Sequence, residues 1–156
     1  MPKVRLDDSS ETVPTGNGQS SPGYNLFGAN LPAIKKISVD LIRIIEEVLD
    51  SRIIVSDSFF NILRAGSGTV PHNHVNEYDS IFQLNDNKFS LVYYLSVGDQ
   101  NCDQPGILKL YDPDQEILPR EGDIVIVPAE RSHSAIYQGS EDRVMIGVNF
   151  YSVKTR

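Results

Sequence analysis

Two histidines separated by a single residue stand in the stretch VPHNHVNEYDS, Val70 to Ser80, with Glu77 and Asp79 close behind them. Alternate side chains leave an extended strand on the same face, so His72 and His74 can bring two imidazoles to one cation. The third and last histidine, His133, follows in PREGDIVIVPAERSHSAIY, where an apolar strand and a Pro-containing turn deliver it to the start of another strand. All the histidine is thus confined to two strand boundaries, which a β-sandwich can bring together at one mouth. His72, His74 and His133 are candidate metal ligands, against the plainer reading of solvated strand ends.

Beyond His133, across the turn QGSED, Arg143 opens the strand RVMIGVNFYSV. Val144, Ile146, Val148 and Phe150 form one face of that strand, and Arg143, Met145, Gly147 and Asn149 the other. An arginine on the inner, mixed face needs an anion to offset its desolvation, and a small dicarboxylate supplies one through bidentate hydrogen bonds. The alternative is a surface arginine paired with Glu141 or Asp142. In FSLVYYLSV the same period groups Leu91, Tyr93 and Leu95 on one face and Ser90, Val92, Tyr94 and Ser96 on the other.

The elements that must position these groups are legible as patterns. Leu41, Ile44, Ile45, Val48 and Leu49 recur at helical spacing, which predicts one amphipathic helix from an N-cap at Ser38 to about Ser51. After it come short β-type runs bounded by turn residues: RIIVSDSFFNILRA, SIFQL, KFSLVYYLSV, GILKLYD, GDIVIVPA, HSAIYQ and RVMIGVNFYSV. They predict an antiparallel sandwich or barrel with the helix on one outer face. Residues 1–24, rich in Ser, Thr, Gly, Pro and Asp, are expected to form a flexible polar arm, and residues 25–156 a single domain.

From Asn61 to Val153 the chain resembles the iron(II)- and 2-oxoglutarate-dependent dioxygenases, in the branch that includes prolyl hydroxylases and small bacterial and phage members. The resemblance rests on RAGSGTVPHNH, LVYYLS, PGILKLYDP, ILPREGDIVIVP, SHSAIY and RVMIGVNFY, in order and with fitting gaps. It implies a double-stranded β-helix (jelly roll) with an N-terminal helix packed on one face, and Fe(II) and 2-oxoglutarate as cofactors. By position, His72 matches the first iron-binding histidine and His133 the distal one. Arg143 matches the residue that binds the far carboxylate of 2-oxoglutarate, and Tyr94 the phenol that donates to it.

One position departs from the family's HxD or HxE, because His74 stands where the carboxylate is usual. Three neutral histidines can hold ferrous iron, with one negative charge fewer at the site. His74 is favoured as the third ligand for its i+2 geometry, with Glu77 or Asp79 folding back as the alternative. The chain is also similar to the cupins: GSGTVPHNHVNEYD fits their first motif and GDIVIVPAERSH most of their second, although Glu130 and Tyr137 replace the expected glycine and asparagine. A cupin, whether an isomerase or a dioxygenase without cosubstrate, has no need of Arg143. A non-catalytic jelly-roll binding module is the third possibility, kept open by HxH.

Bulk properties bound the partners. A net charge of −7 over 156 residues disfavours nucleic acid and anionic membrane. The lone cysteine, Cys102, excludes an internal disulfide. With no secretory signal pattern and no long apolar run, a soluble, cytoplasmic protein is expected. The substrate is expected to be a peptide or a small molecule, and the oligomeric state is left open. The segment Asn76 to Lys88 is expected to line the entrance.

Overall fold

The computed structural model describes residues 18–154. The polar arm expected over 1–24 lies outside the described residues as far as residue 17. Residues 18–24 belong to the folded unit: β1 (Gln19–Ser20) pairs antiparallel with Asn61 and Ile62, and Ser20 and Ser21 are buried.

The helix expected from Ser38 begins earlier, because α1 spans Pro32–Leu49. Pro32 sits in the first turn, where a missing N–H costs nothing, and Ile34 and Ile37 extend the apolar stripe toward the N-terminus. Ser38 therefore lies inside the helix, its hydroxyl donating to the Lys35 carbonyl at 2.8 Å. Asp50, in the left-handed region at φ 47°, ends it.

Two antiparallel sheets follow. The larger has the order β1-β2-β9-β4-β7, with β2 Arg52–Leu63, β4 Lys88–Ser96, β7 Ile124–Pro128 and β9 Arg143–Val153. The smaller has the order β3-β8-β5-β6, with β3 Ser67–His72, β5 Leu108–Leu110, β6 Gln115–Ile117 and β8 His133–Tyr137. This is a jelly roll with α1 on the outer face of the larger sheet, where Leu41 and Ile45 meet Leu91, Ile146, Val148 and Phe150. Each such side chain contributes about 1.5–3 kcal/mol by leaving water. The expected division of β9 into two faces holds: its apolar residues pack under α1, and Met145 and Gly147 face the interior hollow.

SIFQL, expected to be a strand, is instead the end of a short helix and the turn that follows it. α2 (Glu77–Ile81) starts at Asn76, whose side chain accepts from the Asp79 N–H while the Asp79 carboxylate accepts from the Asn76 N–H. This reciprocal cap outweighs the β propensity of Ile81 and Phe82. No helix among the described residues is long and apolar enough to cross a membrane.

Candidate metal centre

The two histidine strands meet directly. β3 is an edge strand of the smaller sheet, and its pairing with β8 is irregular between Thr69 and His72. Pro71 lies within that irregularity; it has no N–H for a regular ladder, and such breaks re-aim side chains. Past the break His72 stands opposite His133. Gly68 allows the close approach of β3 to β8, since a Cβ there would lie 2.4 Å from the Ala135 carbonyl oxygen.

His74 lies beyond the end of β3, in the bend before α2. Its N–H donates to the Ala129 carbonyl at 2.8 Å, and its Nε2 comes within 3.2 Å of the Nε2 of His133. The ligand atoms of all three histidines lie within 4.8 Å of one another. Two nitrogens bound to one ion at right angles stand about 3 Å apart, which matches the His74–His133 separation.

The tautomers follow from the partners. Nδ1 of His72 is 2.7 Å from the Val70 carbonyl oxygen, and Nδ1 of His133 is 3.1 Å from that of Arg131. A carbonyl only accepts, so each Nδ1 carries the proton and each Nε2 is left as a lone pair. Outer hydrogen bonds of this kind orient metal-binding histidines. Burial pushes His74 down to about 3, helped by the charges of His133, His72 and Lys88. Burial, with His72 adding, pushes His133 down to about 4. At neutral pH both are uncharged donors that release no proton when they bind a metal.

The imidazoles border a hollow of about 60 Å³ between the two sheets, with room for a few waters and walls that include Leu63, Leu91, Leu108 and Met145. Tyr94 lines it as well, on the same face of β4 as Ser90 and Val92, as the strand period predicts. Its burial raises the phenol to about 12, against the opposing charge of Arg143, so it remains a protonated donor.

Arg143 is 1% exposed and is not the surface arginine of the alternative reading, since Asp142 pairs with Arg64 instead. Nor does it form part of the wall of the hollow. Its Nε donates to the Val97 carbonyl at 3.2 Å, Nη1 to Gly106 at 2.5 Å and Nη2 to Pro105 at 3.1 Å. Its guanidinium lies against the rings of Tyr94 and Tyr137, at 5.6 and 5.1 Å. Three backbone carbonyls thus offset much of the desolvation expected to require an anion. One N–H on each Nη remains, because a guanidinium has five.

The two carboxylates considered as alternative ligands are not brought to the histidines. Glu77 is exposed on α2. Asp79 is fully buried, and its carboxylate accepts from Lys88 Nζ at 2.7 Å, the Tyr151 hydroxyl at 2.5 Å and the Asn76 N–H at 2.7 Å. Sequence reasoning missed Lys88 and Tyr137. Lys88 was the first residue of an apolar strand, where its burial beside Asp79 has no local signal. Tyr137 is, in the sequence, only a mismatch to the cupin motif, and the structure places its ring against Arg143.

No protein-family model matches the sequence, and no curated protein does. Solved structures do. A 2OG-Fe(II) oxygenase family member from Burkholderia pseudomallei superposes with TM-score 0.58 at 16% identity, over 79% of this chain and 58% of that one. A Pseudomonas putida prolyl-4-hydroxylase gives TM-score 0.62 at 21% identity, over 94% and 76%. The chain shares the jelly-roll fold of these oxygenases. A Trichoplax adhaerens prolyl hydroxylase, in complex with a hypoxia inducible factor peptide fragment, gives TM-score 0.67 at 15% identity, over 92% and 66%. The chain spans less than two thirds of the first of these proteins.

Proposed function

We propose that the chain is an Fe(II)- and 2-oxoglutarate-dependent oxygenase that hydroxylates a peptide, a protein side chain or a small molecule, with release of succinate and carbon dioxide. The observation that carries this reading is the convergence of His72, His74 and His133 beside an apolar hollow in a fold shared with oxygenases. Three neutral imidazoles suit a divalent ion of ferrous softness, and HxH in place of HxD leaves the set one charge more positive. When bound, the iron and the keto acid supply the redox chemistry of dioxygen reduction and decarboxylation.

The chain's own groups have distinct tasks. His72, His74 and His133 present nitrogen donors. Tyr94, protonated at neutral pH, lines the hollow and donates to the far carboxylate of the keto acid, while Arg143, packed against the Tyr94 ring and outside the wall, lends its positive charge to the same end. The leucines of the hollow exclude water from the reacting centre. An acidic chain of this kind suits a basic substrate or peptide better than nucleic acid.

The test is anaerobic titration with ferrous iron and then 2-oxoglutarate, read as the visible charge-transfer band of the chelate, followed by succinate formation on admitting oxygen. A second reading, a cupin-like metalloprotein without cosubstrate, draws support from the three carbonyls already held by Arg143. Iron binding without the band favours that reading. Failure to bind iron leaves a non-catalytic binding module.

A further inference from the structure

We infer that the buried network Asp79–Lys88–Tyr151 is a positioning device for His74, holding it as the third ligand of the metal centre. The inference rests on the metal reading above. His72 and His133 are held by paired strands, and each ring is oriented by a carbonyl at Nδ1. His74 has neither support. It lies past the end of β3, and among the described residues its ring makes hydrogen-bond contact only with His133.

What fixes it is the backbone on either side. The His74 N–H donates to the Ala129 carbonyl at 2.8 Å, and the Ala129 N–H donates to the Lys88 carbonyl at 2.9 Å. His74 is thereby docked, through one residue, on the main chain of Lys88. Two residues further on, Asn76 and Asp79 close their reciprocal cap. The Asp79 carboxylate then reaches Lys88 Nζ and the Tyr151 hydroxyl, anchoring the turn to β4 and β9 of the larger sheet. The side chain and the carbonyl of Lys88 thus grip the two ends of the segment that carries His74.

Stability alone does not account for this arrangement. Asp79 and Lys88 are 0% and 3% exposed, and burying such a pair carries a desolvation cost that apolar residues of the same size avoid. What the pair adds is geometry, because charge-assisted donors converging on one carboxylate hold a loop where packing leaves it loose. Groups bonded directly to a metal ligand typically change affinity by about 10–100-fold when removed, which sets the upper bound for a network that acts on His74 through its backbone.

The experiment is Co(II) titration of the intact chain, following both affinity and the visible absorption of the bound ion. The wild type is compared with Tyr151→Phe, with the apolar double variant Asp79→Leu/Lys88→Met, and with each of these in a His74→Ala background. The expected result is a loss of about 10-fold for the double variant, the lower end of the range for direct partners, and a smaller loss for Tyr151→Phe. Their spectra should shift toward that of His74→Ala, and the loss should shrink to about twofold or less once His74 is absent. Wild-type affinity in Tyr151→Phe and the double variant, or an equal loss with and without His74, overturns the inference while leaving the metal centre intact. If the double variant does not fold, Tyr151→Phe decides by the same criteria. A wild type that binds no Co(II) overturns the metal reading and this inference together.

Discussion

His72 and His133 are direct cross-strand neighbours, with ring centroids 4.5 Å apart, although sixty residues separate them in the chain. The pairing of β3 with β8 therefore builds most of the metal centre before any loop contributes. Only His74 depends on the turn that follows.

Removing a strand-borne ligand should abolish the site. His133→Ala is expected to weaken Zn(II) or Co(II) binding by more than the roughly 100-fold that outer partners command. Equilibrium dialysis against a competing chelator measures it. The helix α1 lies on the far side of the larger sheet, so thermal stability of the metal-free protein should change little by comparison.

A core substitution should show the reverse pattern. Phe150 is fully buried under α1, and Phe150→Ala is expected to cost about 3–5 kcal/mol in chemical denaturation. Metal affinity of the folded fraction should stay within a few-fold of wild type, because Phe150 points away from the hollow.

Gly106 has two reasons to be glycine. Its φ is +79°, and a Cβ there would lie 1.8 Å from Arg143 Nη1. Gly106→Ala is expected to destabilise the protein by at least about 1–3 kcal/mol and to displace the guanidinium. Under the proposed function it also weakens 2-oxoglutarate binding while sparing the metal, which anaerobic titration separates.

Acid should act through Asp79. Burial by itself would raise its carboxyl, but the Lys88 ammonium, the Tyr151 hydroxyl and the Asn76 N–H together hold it below its ordinary value of 3.8. A carboxyl lowered in the folded state contributes stability that is present above the unfolded value and is lost as pH falls through the folded one. Unfolding free energy of the metal-free wild type should therefore drop below about pH 4, and Asp79→Asn should lack that component. At pH 7 the variant is expected to be less stable by about 3–5 kcal/mol, since it leaves Lys88 buried without its counter-charge. Urea titrations across pH 3–7 measure both.

Much of this was legible from strand periodicity. The alternation along RVMIGVNFYSV separates Val148 and Phe150 from Met145 and Gly147, and the structure puts the first pair under α1 and the second on the hollow. The same rule groups Tyr94 with Ser90 and Val92, and all three line the hollow. The errors arose where local chemistry overrode pattern. Ser38 resembles a cap, but Pro32 starts the helix; SIFQL looks extended, but the Asn76–Asp79 cap winds its first two residues into α2 and the rest into a turn. An inward Arg143 is expected from the sequence to need an anion, and Asp79 to be an alternative metal ligand. Arg143 instead takes carbonyls of the segment 97–106, and Asp79 takes Lys88, contacts between distant residues that no sequence period encodes.

X-ray absorption at the metal edge, on protein loaded anaerobically with one equivalent of Fe(II), tests the central claim most directly. The account predicts a first shell with three imidazole nitrogens at about 2.0–2.2 Å, falling to two in His74→Ala and in His133→Ala. A shell of oxygens with no imidazole signature, or one unchanged by either substitution, would contradict it.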